Sequence, residues 1–340
     1  MKNRLLSVAF AATAALGSTF APMLGRAVLP ALAVAAVPLA AGCGCGKKSV
    51  QAPLTRSLLD RSLELGTQFL LANQRPEGNF NYEYDWKKKQ QSSEDNQVRQ
   101  VGALWGLALV YHGMRDEGRS AEEAAPVAAA FEKALAYFDG LAESTPSGER
   151  FFRYPGEAKG ATGSIALVAL SLVDYLRAGP PLTSERASEL NTLLDGYLAQ
   201  LVRARRDDGF WAGDYSYRDG APSGTNNPYA DGEALLALIK AAKYMGRDDL
   251  RPLALASAQA GWQGHVVEAR KVAADSNTTK GYYQWSTMSF FELATSGWPD
   301  TDPWTEFTVP YCYPPLPIYS GALALAARGD VRHPLLAALL

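Results

Sequence analysis

Four times along this chain an amphipathic helical stretch ends at a turn, a short aromatic strip follows, and an apolar helical stretch returns. No such unit can bury its apolar face alone, so the copies must stack, and the repeat constrains the fold more than any single segment. In the first copy, residues 54–73 carry Leu54, Leu58, Leu65 and Phe69 on one helical stripe, with Arg56, Asp60, Arg61 and Glu64 off it. Pro76 and Gly78 end that helix. Phe80, Tyr82 and Tyr84 then alternate with Asn81, Glu83 and Asp85, which at the two-residue period of a strand puts the two sets on opposite faces. After a charged loop at 87–91, Ser93 is placed to cap the next helix, with Glu94 and Asp95 in its first turn, where negative charge is favourable. Residues 101–110 are apolar nearly all round, the mark of a buried helix.

The second copy has an outer helix at 121–141, a break at 144–148, the strip Phe151-Phe152-Arg153-Tyr154 and a buried helix at 162–175. In the third, Leu190, Leu193, Leu194, Tyr197, Leu198 and Leu201 form the stripe, Asp208-Gly209 stops the helix, and Phe210-Trp211 with residues 214–217 make the strip before a buried helix at 230–244. The fourth runs from 248 to 270, passes Gly281-Tyr282-Tyr283-Gln284 and returns over 285–294. The return points Asn96, Thr162, Tyr229 and Trp285 are 66, 67 and 56 residues apart. This rhythm predicts an all-α fold, an α/α toroid of helical hairpins with buried helices inside and amphipathic ones outside. The toroid domain spans 53–340. Residues 298–315 are too rich in proline for helix. Residues 320–327 read as one more inner helix, and the apolar tail 335–340 is placed to help close the ring.

The chain has 340 residues, 47% hydrophobic and 20% charged, with a net charge of −2, which suits a globular core and gives no basic patch for nucleic acid. Residues 1–42 stand apart from the repeats. Two apolar runs, 5–16 and 27–41, lead to Leu39-Ala40-Ala41-Gly42-Cys43, which resembles a bacterial lipobox and implies a lipid on Cys43. Forty-two residues is long for a signal peptide; a start at Met23 would leave Arg26 as the positive region. A membrane anchor crossing twice is the alternative, disfavoured because each run is short and is bounded or interrupted by Gly or Pro, Gly17 after the first and Pro30 and Pro38 within the second. Residues 43–52 are then a tether, and the expected location is the cell envelope, facing the periplasm or exterior. Cys45 and Cys312 do not define a disulfide framework, and His112, His265 and His333 have no metal-ligand spacing, so no metal or cofactor is expected.

Phe69-Leu70, Gln74, Gly78 and Phe80 resemble the repeat of squalene/hopene cyclases, in which an aromatic-Leu pair precedes Gln-x-x-x-Gly-x-Trp. Gly66 fits as well, and Phe80 stands where Trp is usual. The third copy keeps Gly209-x-Trp211 but has Arg205 at the Gln position. The resemblance implies the α/α toroid shared with protein prenyltransferases and, more distantly, with six-hairpin glycosidases, uronate lyases and sugar epimerases. It does not extend to cyclase chemistry, because the chain has neither an Asp-x-Asp-Asp nor an Asp-Asp-x-x-Asp motif. Fold analogy is a weak guide to function.

Each strip precedes an inner helix, so the strips, the helix N-termini and their acids are expected at one mouth of the ring. Such a mouth suits a hydroxyl-rich or anionic ligand, with aromatic faces for sugar rings and helix dipoles for carboxylate. The candidate catalytic groups are Glu83, Asp85, Asp231 and Glu233 as acid and base across the mouth, or Tyr283 as the base of an elimination or epimerisation. Candidate binding residues are Tyr82, Trp86, Asp95, Asn96, Arg99, Trp211, Asp214, Tyr229 and Trp285. Against this, acids at helix starts commonly serve as caps, and the aromatics as packing. The expectation is an envelope lipoprotein acting on a polysaccharide or uronate-containing glycan as hydrolase, lyase or epimerase. A non-catalytic binding protein for a glycan or protein partner and an isoprenoid cyclase are the alternatives.

Overall fold

A computed structural model describes residues 55–299 and 301. The leader and tether with Cys43 and Cys45 lie outside the described residues, as do Cys312, His333 and the segments expected at 320–327 and 335–340. The described chain is mostly helical, in the order α1 Arg56–Asn73, α2 Gln97–Asp116, α3 Ala121–Gly140, α4 Thr162–Arg177, α5 Ser184–Ala204 and α6 Pro228–Tyr244. A 3-10 turn, Asp248–Leu250, then leads into α7 Arg251–Gly261, a π-helical turn Trp262–Glu268, the short α8 Ala269–Val272 and α9 Asn277–Ala294. Strands are only two or three residues long. β1 Tyr84–Asp85 pairs with β2 Gln90–Gln91, and β3 Ala142–Ser144 with β4 Arg150–Phe152. β5 Gly160–Ala161, β6 Asp214–Tyr215 and β7 Pro222–Ser223 form a three-stranded antiparallel sheet in that order.

The helices form two layers. α2, α4, α6 and α9 pack side by side in chain order, with α3 against α2, α5 against α4 and α7 against α6. Their burial follows the expected division. α4 is buried on every side from Thr162 to Tyr175, whereas α5 buries a stripe of Leu190, Leu193, Leu194, Tyr197, Leu198 and Leu201. α2 and α9, the first and last inner helices among the described residues, also meet, through Trp105 and Trp285 with ring centroids 5.4 Å apart. Toward the C-terminal ends of the inner helices, Asp174 of α4 is fully buried and accepts from both Lys240 Nζ of α6 (2.6 Å to Oδ2) and Trp105 Nε1 of α2 (2.9 Å). Among the described residues no helix is long and apolar enough to cross a membrane.

The turn that opens the first strip is built by the motif residues. Gln74 Nε2 donates to Gly78 O (3.0 Å) and to Ala130 O of α3 (2.8 Å), while Gln74 and Phe80 pair as an isolated bridge. Gly78 has φ +115°, and a Cβ there would lie 2.4 Å from Lys133 O, so glycine is required twice over. The third copy repeats the arrangement with Arg205, Gly209 and Trp211. Arg205 and Trp211 form the bridge, and Arg205 Nε donates to Ser257 Oγ of α7 (2.7 Å). Glutamine and arginine thus do one job, fastening each turn to the next outer helix.

Four expectations are corrected. The first strip is a bridge at Phe80 and a two-residue strand at Tyr84–Asp85, rather than one alternating strand from 80 to 85. α2 starts at Gln97 with Asn96 as its cap, because Asn96 is extended and its side chain accepts from Arg99 N. Ser93, Glu94 and Asp95 therefore precede the helix. α9 starts at Asn277, eight residues before Trp285, so residues 281–284 are helical and the fourth copy has no strip. Ser276 caps it, and Gly281 lets it cross closely over Pro228 and Tyr229. Finally, α1 turns Leu70 and Leu71 toward the core, and Leu65 and Phe69 remain 49% and 64% exposed.

Candidate functional site

Among the described residues four inner helices begin at one end, and specific contacts hold those ends together. From the first residue of α2, Gln97 Oε1 accepts from Ala161 N (2.9 Å) and Ser164 Oγ (3.2 Å), and its Nε2 donates to Lys159 O (3.0 Å). Thr162 at the start of α4 donates from its N–H to Gly213 O (3.0 Å) and from Oγ1 to Ala212 O (2.6 Å), ahead of α6. The α9 start lies on the α6 start, where a Cβ at Gly281 would come within 2.9 Å of Tyr229. The result is a mouth of parallel helix N-termini, three of them capped by Asn96, Asn227 and Ser276. N-terminal N–H groups and aligned peptide dipoles favour negative charge there.

A shallow pocket of about 340 Å³ opens at this mouth, lined by Gly213, Asp214, Thr225, Asn226, Asn227, Pro228 and Tyr229. Tyr229 is 42% exposed, and Asp214 Oδ2 accepts from Lys159 Nζ at 2.6 Å. An aromatic face, two amides and an ion pair thus share one opening. The other aromatics of the strips are mostly packing: Phe80, Phe151, Phe152, Tyr154, Trp211 and Tyr215 are all buried.

The acids divide sharply. Glu83 is exposed, and among the described residues its carboxylate has no hydrogen bond or ion pair. Asp85 closes a local turn by accepting from Lys87 N (2.9 Å) and Lys88 N (3.0 Å), and these backbone bonds hold it below its ordinary value. Trp86 beside it is 72% exposed. Asp95 ties the mouth together by accepting from Gln100 Nε2 and Tyr154 Oη, each at 2.7 Å. Arg99 turns to Tyr82, bonding its hydroxyl and lying against its ring.

Asp231 is 2% exposed and its carboxylate is fully engaged. Oδ1 accepts from Trp211 N (2.8 Å), and Oδ2 is bonded to His265 Nε2 (2.6 Å) and Asn226 Nδ2 (3.3 Å). Gln100 occupies the matching position of the first copy, where its Oε1 accepts from Phe80 N at 2.8 Å. Each of these residues follows its asparagine cap by four places and holds the backbone of its strip. His265 is buried between Phe210 and Tyr282, with ring centroids 4.9 and 4.8 Å away. The π-helical turn shifts the helix register there and sets that ring on Asp231.

Glu233, two residues further into α6, has a different environment. It is 4% exposed, no hydrogen bond reaches its carboxyl among the described residues, and burial pushes its pKa up to about 8. Its Oε2 rests against Gly163 of α4. Tyr283 and Trp285 are buried in α9, and Trp285 Nε1 is buried with no partner among the described residues. The structure therefore groups Asp214 with Tyr229, and sets Asp95, Asn96 and Arg99 at the start of α2. Among the described residues it joins Glu83 to neither Asp231 nor Glu233 by a bond.

Sequence reasoning missed Gln97, Gln100, Lys159, Asn226 and His265. The repeated Asn-x-x-x-Gln/Asp spacing could have shown Gln100 and Asp231 to be partners of their strips. His265 had no such signal, because a π turn breaks the periodicity. Among the described residues no group of three or more His, Cys, Asp or Glu side chains could hold a metal ion. No family model matches the chain, and no curated protein is significantly similar to it.

Proposed function

We propose that the described hairpins belong to an α/α toroid whose inner-helix mouth binds and acts on a polysaccharide or uronate-containing glycan. The exposed Tyr229 over the pocket of Asp214, Asn226 and Asn227 carries this reading. A sugar ring stacks on an aromatic face while amides and carboxylates take its hydroxyls, and pockets of this mixed lining serve such ligands. Inner helices packed side by side, three of them with an outer partner, and the Trp105–Trp285 contact between α2 and α9 support the toroid. Hydrolysis, elimination and epimerisation all suit a mouth that offers an acid and an anion-favouring helix end. The lipobox-like segment adds that the protein works as an envelope lipoprotein, whose native mature N-terminus is then Cys43 by mass spectrometry. A mature chain that retains residues before Cys43 would overturn that part.

Glycan screening of the purified protein tests the central reading. Uronic and neutral oligosaccharides are expected to bind, with turnover seen as new reducing ends, unsaturated products or inverted uronates. Tyr229→Ala should weaken binding at least tenfold, read on variant protein that circular dichroism shows to be folded. Binding without turnover would make the protein a glycan-binding lipoprotein. Saturable binding of squalene-like lipid with every glycan ignored would overturn the proposal.

A further inference from the structure

The polar side chains that line the pocket are each held in one orientation. Asn226 Nδ2 donates to Asp231 Oδ2 (3.3 Å). That carboxylate is buried and is fixed in turn by Trp211 N and His265 Nε2. A carboxylate bonded in this way only accepts, so it draws the Asn226 nitrogen inward and leaves the Asn226 oxygen for the opening. Asn227 is turned the other way. Its Oδ1 accepts from Tyr229 N (2.9 Å) as the cap of α6, which leaves Nδ2 free to donate. Asp214 gives Oδ2 to Lys159 Nζ and keeps Oδ1.

Among the described residues Asn226 Oδ1, Asn227 Nδ2 and Asp214 Oδ1 have no partner. Neither oxygen is shut off from solvent, and Asn227 is exposed. The opening therefore presents two fixed acceptors, one of them charged, against one fixed donor. The hydroxyls of Thr225 and Tyr229 rotate to suit either and discriminate nothing. Lys159, the cation beside the opening, is already committed to Asp214, and the positive end of α6 is met by Asp231 in its first turn. A carboxylate entering here would set its own acceptors against two others. A hydroxyl can give its proton to either acceptor and take one from Asn227.

We propose that this pocket is a subsite for an uncharged sugar residue, held through its hydroxyls. The hydroxyls donate to Asn226 Oδ1 and Asp214 Oδ1, a sugar oxygen accepts from Asn227 Nδ2, and the ring lies on Tyr229. Asp231 is a positioning residue. It touches no ligand, and it decides which end of the Asn226 amide the ligand meets. The subsite rests on the reading of the mouth as a glycan site and narrows it, because a uronate is refused at this pocket by acceptors that its carboxylate cannot satisfy.

Calorimetric titration of the full chain at neutral pH, with a neutral trisaccharide and with the uronate trisaccharide of the same linkage, tests this. The neutral glycan is expected to bind at least tenfold more tightly. Asp214→Asn removes the charged acceptor and releases Lys159, so the ratio of neutral to uronate affinity should fall at least tenfold. Asp231→Asn can donate to Asn226, which then turns its oxygen inward and its nitrogen to the opening, and the ratio should fall here too. A merely structural role for Asp231 would weaken both glycans alike and leave the ratio where it was. Should Asp231→Asn fail to fold, Asp214→Asn decides alone. Uronate binding as tight as neutral in the wild type, or an unchanged ratio in either folded variant, overturns the subsite and leaves the broader glycan reading standing. Binding of neither glycan overturns both.

Discussion

Asp231 and Glu233 stand two residues apart on α6 and have opposite fates. Asp231 is bonded by a backbone N–H, an imidazole and an amide, so its burial is compensated. Glu233 has no such partners among the described residues and is held neutral by burial, up to about pH 8. A stability effect follows directly. Between the ordinary glutamate value of 4.5 and about 8, the unfolded chain ionises this group and the folded chain does not. The folded state then holds more protons, so stability falls with rising pH across that window and levels off above it. Integrated, the loss is a few kcal/mol. Glu233→Gln should remove it. Urea unfolding of wild type and variant at pH 5 and pH 8.5 checks this: the variant should gain relative to wild type only at the higher pH, and a parallel shift would contradict it.

At the scale of elements, the helices of the first three copies were largely legible. Leucine spacing gave the buried stripe of α5, and continuous apolar runs gave α4 and α6, because burial on one side or all sides leaves a direct mark on composition. Legibility failed where polar side chains compete for backbone groups. Asn96 rather than Ser93 caps α2, a choice settled by which residue reaches the Arg99 N–H. The start of α9 was misread because aromatic residues look alike in a strip and in a buried helix. The strips themselves are held by Gln100 and Asp231, so Gln100→Ala should free the Phe80 N–H and carbonyl and weaken the tie to Asp95. Leaving buried polar groups unpaired costs about 1–3 kcal/mol. A denaturation midpoint lowered accordingly, with faster amide exchange at Phe80, is the expected result.

Across the whole molecule, the inner helices are joined at both ends by different means. Amide bonds, short strands and the carboxylates of Asp95 and Asp231 hold the mouth, while Asp174 binds α2, α4 and α6 through Trp105 and Lys240 at the other end. Burial alone would raise the pKa of Asp174, but the Lys240 ammonium and the Arg177 guanidinium outweigh it and hold the group below its ordinary value. Lys240→Met would strand this carboxylate with weaker partners. Removing one member of a buried ion pair costs about 3–5 kcal/mol, whereas replacing both members by apolar groups costs far less. Urea unfolding should therefore show a large loss in Lys240→Met and substantial recovery when Asp174→Leu is added. An unaltered midpoint in the single variant would show that Arg177 suffices.

The sequence by itself determined that this chain is helical, that its hairpins repeat, and which helices are buried, because hydrophobic periodicity records local burial. It also placed Gly78 and Gly209 at the turns, where backbone geometry admits little else. Which acids remain without partners was decided only by tertiary structure. Asp231 and Glu233 are both carboxylic acids in the first two turns of one helix. They differ because one meets a histidine brought by a π turn and the other meets a glycine on a neighbouring helix. Periodicity carries no record of contacts between residues so far apart in the chain, and those contacts set the chemistry of the mouth.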